Sequence, residues 1–212
     1  MFKNKWFQFS LYIFLIPLCI DIYMYPKLPE SVPVHFNFEG VADGFAPKFI
    51  GLFGLLAFLI LIHVFTIFMM SKTPKANHIP KISMIITSLV CPIISVYTTL
   101  FIISASFNHD YHFMIYGMHF IIGILMIALG NYLPKTRRNY VLGIKTPWTI
   151  DDDDNWNQTH RIGGYCFVTA GILYIILTLV NQPFIGLIFL LVCSMIPVIY
   201  SYFYYQKKLK SR

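Results

Sequence analysis

Ionisable residues are sparse in this 212-residue chain, and those whose types could do chemistry fall into two sets. The first lies inside apolar stretches: Asp21, His63 and His119. A carboxylate at membrane depth costs several kcal/mol unless it is paired or hydrated, so such groups can hold protons or ligands. Asp21 and His119 sit at similar depth from one end of their stretches, and a contact between them is geometrically open. The plain reading is a hydrogen-bonded structural residue, and for His63 this is the stronger reading. The second set lies in two polar segments, one around His35 and one in "TPWTIDDDDNWNQTHR" at 146–161. A calcium loop starting at Asp151 would need glycine at its sixth position and glutamate at its twelfth. Trp156 and Ile162 stand there instead. The acidic run therefore reads as a solvated, helix-capping turn, with Thr149 or Asp151 as the cap of a helix starting near 151. Trp148 and Trp156 read as interface anchors. His160 and Arg161 could bind an acidic group of a partner, the aspartates or lipid phosphate. The chain has no G-x-S-x-G, no phosphate-binding Walker loop and no H-E-x-x-H. Nothing in it indicates catalysis, a metal site or a cofactor.

The elements that must position these residues follow from hydropathy. Only 12% of residues are charged, against about 25% in a soluble domain, and mean hydropathy is +0.66. The apolar residues form long runs at about 7–25, 49–70, 82–107, 112–132, 161–180 and 184–205. Each can cross a hydrocarbon core of about 30 Å at about 1.5 Å per residue. The runs do not alternate as barrel strands would. The expected fold is all-α and polytopic, with six transmembrane helices and a short extended segment in the first outer connection. Lys3 and Lys5 precede the first run as in a signal peptide, but no small-x-small site follows, and Leu18 breaks a lipoprotein pattern at Cys19. That run reads as a retained helix. Cys19, Cys91, Cys166 and Cys193 lie inside the spans and act there as small apolar residues.

Cytoplasmic connections collect lysine and arginine. Of the 16 basic residues, all but Lys27 and Lys48 fall on the side that holds both termini and the 71–81 and 133–160 connections. The termini are therefore expected in the cytoplasm. The net charge of +7 reports this topology and an attraction to anionic membrane lipids, with no nucleic-acid footprint. The outer 25–48 connection alternates, with Val34, Phe36 and Phe38 on one face and Pro33, His35 and Asn37 on the other. This pattern predicts a short strand closed by turns at Glu39-Gly40 and Asp43-Gly44. In the inner connection, helical spacing from Trp156 through Phe167 predicts that the fifth helix begins in the cytoplasm and enters the membrane near Arg161. Gly163-Gly164 would admit a close neighbouring helix. The chain divides into an N-terminal module at 1–75, a third helix with its connections at 76–111, and a C-terminal module at 112–212.

"LPESVPVHFNFEGVADGFAPK" resembles the P-x-H-[FW]-[ND]-x-x-G signature of a small bacterial membrane domain of unknown function. "GNYLPKTRRNYVLGIKTPWTIDDDDNWNQTHRIGGYCFVTAGIL" is similar to the signature of the SdpI family, immunity proteins of a sporulation-delaying toxin system. Lys145 stands where that family usually has arginine, which removes a bidentate donor. The resemblance implies a multi-pass protein of the bacterial cell membrane that resists a secreted antimicrobial peptide toxin. It also implies signal transduction through capture of a cytoplasmic ArsR-type winged-helix repressor. The toxin would meet Pro33, His35, Phe36, Asn37, Gly40 and Asp43. The repressor would meet Arg137, Arg138, Asn139, Lys145, Trp148, Trp156, Thr159, His160 and Arg161. The competing readings are a small proton-coupled transporter using Asp21, His119 and His63, and a membrane scaffold protein.

Overall fold

The computed structural model describes residues 5–37, 40–72, 81–107 and 111–210. Phe38 and Glu39, named in the strand and turn expectations, lie outside the described residues, as do Lys3, Lys75 and Arg212 of the basic count. The fold is helical, with helices long and apolar enough to cross a membrane at Lys5–Lys27, Ile50–Lys72, Lys81–Ser106, Phe113–Lys135, Asp153–Leu179 and Pro183–Lys210. These match the six apolar runs, with the fifth extended about two turns toward its N-terminus.

The described residues form two compact units. The first takes those within 5–72 and 81–115. It opens with α1 (Lys5–Ile13) and α2 (Leu15–Met24), one span interrupted at Phe14. Pro17 explains the interruption, because it cannot donate to the carbonyl four residues earlier. A hairpin follows, β1 (Ser31–Phe36) antiparallel to β2 (Ala42–Pro47), and then α3 (Leu55–Lys72), entered through a wide turn at Ile50–Gly54. The unit is completed by α4 (Lys81–Ser106). The single expected strand is thus a two-stranded hairpin, and Asp43-Gly44 lies in β2 instead of a turn. Gly44 pairs with His35, where an added Cβ would come within 2.7 Å of the His35 Cβ. The strand's deepest apolar residue is Val32, whose Cγ2 occupies the space a side chain at Gly51 would take. Leu28, Val32, Leu52 and Ile102 form one buried cluster, so the hairpin is seated on the ends of its own helices.

The second unit takes 116–210. Its elements are α5 (His112–Tyr132), a tight turn at Leu133–Lys135, α6 (Pro147–Asp151), α7 (Asp153–Leu179) and α8 (Pro183–Lys210). Glycines let α5 and α7 touch at the backbone. A Cβ on Gly130 would lie 2.9 Å from the Gly164 carbonyl oxygen, and one on Gly171 would lie 2.6 Å from that of Gly123. Gly164 makes this approach as the sequence suggests. Gly163 instead accommodates Ile144 of the 133–160 connection.

Candidate functional site

The 133–161 segment folds into a platform whose order comes from short polar side chains. Asn139 is buried and uses all its hydrogen-bonding capacity. Its Oδ1 accepts from the N–H groups of Val141 and Leu142, and its Nδ2 donates to the carbonyls of Arg137 and Leu142. Gly143 follows at φ +122°, a backbone conformation that favours glycine. A Cβ there would also meet His160 Nε2 at 2.3 Å. In Thr146-Pro147-Trp148-Thr149, the Thr146 hydroxyl accepts from the Thr149 N–H and the Thr149 hydroxyl accepts from the Thr146 N–H. This reciprocal cap satisfies two donors of α6, and Pro147 occupies a first-turn position that needs no donor. The Trp148 indole donates to Ser201 Oγ at 2.7 Å and packs against Tyr202 and Tyr205 of α8.

The aspartates divide the remaining work. Asp152 caps α7 by accepting from the N–H groups of Asp154 and Asn155. The cap is therefore Asp152, because Thr149 is committed to α6 and Asp151 is its last residue. Lys208 bridges Asp152 and Asp154, and Arg138 pairs with Asp153 at 2.7 Å while donating to the Ile150 carbonyl. Burial alone would raise the Asp152 carboxyl, but the Lys208 hydrogen bond and charge and the two N–H donors outweigh it and hold it below its ordinary value.

Behind this surface lies a buried array. Trp156 is 0% exposed, donates to the Thr136 carbonyl at 2.8 Å and stacks on His160 with ring centroids 3.9 Å apart. His160 Nδ1 lies 2.8 Å from the Trp156 carbonyl, and Nε2 lies 3.0 Å from the Ile144 N–H. A carbonyl can only accept and an N–H can only donate, so Nδ1 carries the proton and Nε2 is bare. The ring is therefore neutral and both nitrogens are used. Thr159 donates to Asn155 Oδ1, and Asn155 Nδ2 donates to the Ser201 carbonyl. Asn139, Trp156, Thr159 and His160, expected as partner contacts, thus face inward. Arg137, Lys145 and Arg161 are exposed, and Arg138 and Trp148 are partly so. Arg161 borders a cleft of about 610 Å³ that also contains Asn131, Asn157, Gln158 and Tyr165. Asn155, Thr136, Ser201 and Lys208 were not singled out from sequence. Only the i, i+4 pairing of Asn155 with Thr159 left a trace there.

The hairpin is built differently. His35 and Asp43 pair across the strands with both side chains exposed. Asn37 and Gly40 form the turn. Asn37 Oδ1 accepts from the Val41 N–H at 2.9 Å, and Gly40 adopts φ +79°. Pro33 and Gly40 are buried, and Phe36 packs on Phe101 and Tyr111. Of the expected toxin-facing residues, His35 and Asp43 face outward most openly.

The intramembrane polar residues each find a partner within their own unit. Asp21 Oδ1 accepts from Thr99 Oγ1 at 3.1 Å. His63 Nε2 lies 2.9 Å from Ser10 Oγ, with Phe7 and Phe14 against its ring. In the second unit, His119 Nδ1 shares a hydrogen bond of 2.7 Å with the Tyr174 hydroxyl.

Residues 135–201 match the SdpI/YfhL protein family, and residues 12–60 match a domain of unknown function, DUF1648. The chain is 26% identical over 210 residues to the Immunity protein SdpI of Bacillus subtilis (strain 168), covering 96% of this chain and 97% of that relative. No solved structure matches. The polar platform of this membrane protein thus lies almost wholly within the residues that match the SdpI/YfhL family, and the hairpin within those that match DUF1648.

Proposed function

We propose that this protein is a membrane immunity protein that protects its host from a secreted peptide toxin. The observation that carries this reading is the near end-to-end similarity to a protein named for immunity, which spans both units. The basic-residue asymmetry supports a topology with the hairpin outside and the platform in the cytoplasm. The hairpin then meets the toxin through His35 and Asp43, flanked by the exposed apolar residues Val34 and Phe45. The platform meets a winged-helix repressor through Arg137, Lys145, Arg161 and the rim of Trp148. Asn139, Trp156, Thr159 and His160 serve that contact indirectly, by holding the backbone that presents the cations.

The test is deletion of the gene in its host, followed by challenge with the toxin. Sensitivity should rise and be restored by the wild-type gene. Unchanged sensitivity would rule out immunity. Cysteine labelling of intact cells at positions 37 and 153 tests the topology: position 37 should react and position 153 should not.

A further inference from the structure

The interior of the N-terminal unit holds an acid that neither the hairpin nor the platform uses. Asp21 lies within the Lys5–Lys27 span and is 0% exposed. Oδ1 has its bond from Thr99, while Oδ2 is buried with no hydrogen-bond partner. The elements packed on α2 carry Lys5 and Tyr12 on α1, Tyr25 and Lys27 in the following turn, and Lys81, Cys91 and Tyr97 on α4. No described cation lies within ion-pair distance of Asp21, and Lys27 is spent over the Tyr23 ring at 3.4 Å.

Two states of this carboxyl compete. Ionised, it places a full charge at membrane depth with one neutral donor and no counter-ion. Neutral, it keeps the Thr99 bond on its carbonyl oxygen and leaves a single O–H without an acceptor, which is the smaller penalty. We propose that Asp21 is a proton-binding site of the N-terminal unit, a carboxyl that carries an exchangeable proton at neutral pH. Release to water leaves the carboxylate and a hydronium ion, and re-binding reverses this. Among the described residues, His63 is the unit's other buried side chain with an unused atom. Ser10 donates to the Phe7 carbonyl, so the His63 Nε2–H donates to Ser10 and Nδ1 stays bare.

Infrared spectroscopy of the purified protein in lipid nanodiscs tests this. At neutral pH the wild type should show the carbonyl stretch of a neutral carboxylic acid, shifted in D2O and lost in Asp21→Asn. If Asp21→Asn does not fold, Thr99→Val replaces it: losing the donor should move the same band to higher frequency. Absence of an acid band at neutral pH overturns the proposal, as does a band that survives Asp21→Asn, ignores D2O or is unmoved by Thr99→Val. Toxin sensitivity does not enter the readout, so this result and the immunity reading stand or fall separately.

Discussion

The hairpin and the platform are both dense in motif residues, yet they spend them in different ways. In the hairpin the polar pair His35–Asp43 is exposed, and the strands rest on an apolar cluster beneath it. In the platform the polar residues are the core, and the apolar loop residues are partly exposed around them. A strand pair can hold its shape through its own ladder. A connection that runs through residues 136–146 without regular structure must satisfy its backbone groups with side chains. That is why Asn139, Thr149, Trp156 and His160 point inward. A residue that carries a family resemblance can therefore be a fold-maker, and the surface that meets a partner can be formed by its neighbours.

This contrast can be broken at several depths. Trp156→Ala should have the largest effect, about 3–5 kcal/mol for a fully buried aromatic, read as loss of folded protein in membranes. Gly143→Ala comes next. It forces a left-handed backbone on a residue with a side chain, at about 1–3 kcal/mol, and drives that side chain into His160, so thermal unfolding in detergent should fall clearly. Asp152→Asn retains a capping side chain but loses the charge paired with Lys208. Because the folded state holds that carboxyl low, the pair's stabilisation is present above the ordinary carboxylate pKa and disappears as pH falls through the lowered one. The variant should therefore lose part of the acid limb of a stability–pH curve and differ little in strongly acid solution, by about 0–1 kcal/mol for a partly exposed pair. Joint replacement of His35 and Asp43 by alanine should change stability least, within about 1 kcal/mol. On the proposed function it should weaken toxin protection at unchanged protein abundance. A platform whose core variants were tolerated as well as this pair would erase the distinction.

Much of the fold was legible because hydropathy runs report crossings directly. All six spans, the early extended segment, the N-terminal extension of the fifth helix and the close approach at Gly164 follow from residue types and spacing. The second hairpin strand was hidden. Asp43-Gly44 has the composition of a turn, but its glycine is set by crowding against His35 from a partner strand nine residues away in the chain. The inward orientation of the platform residues was hidden for a related reason. Tryptophan, histidine and asparagine in a polar loop have the same composition whether they bind a partner or the loop's own backbone. Only the placement of Thr136, Ile144 and Ser201 decides between the two.

His160 and Arg161 are adjacent in the chain and play opposite roles: one inside with both nitrogens bonded, one exposed beside a polar cleft. The most direct measurement is thermal unfolding of His160→Ala and Arg161→Ala, purified in the same detergent. This division of roles predicts a loss of about 1–3 kcal/mol for the first, from stranded backbone groups, and a change within about 0.5 kcal/mol for the second. Equal losses, or a stable His160→Ala beside a destabilised Arg161→Ala, would contradict it.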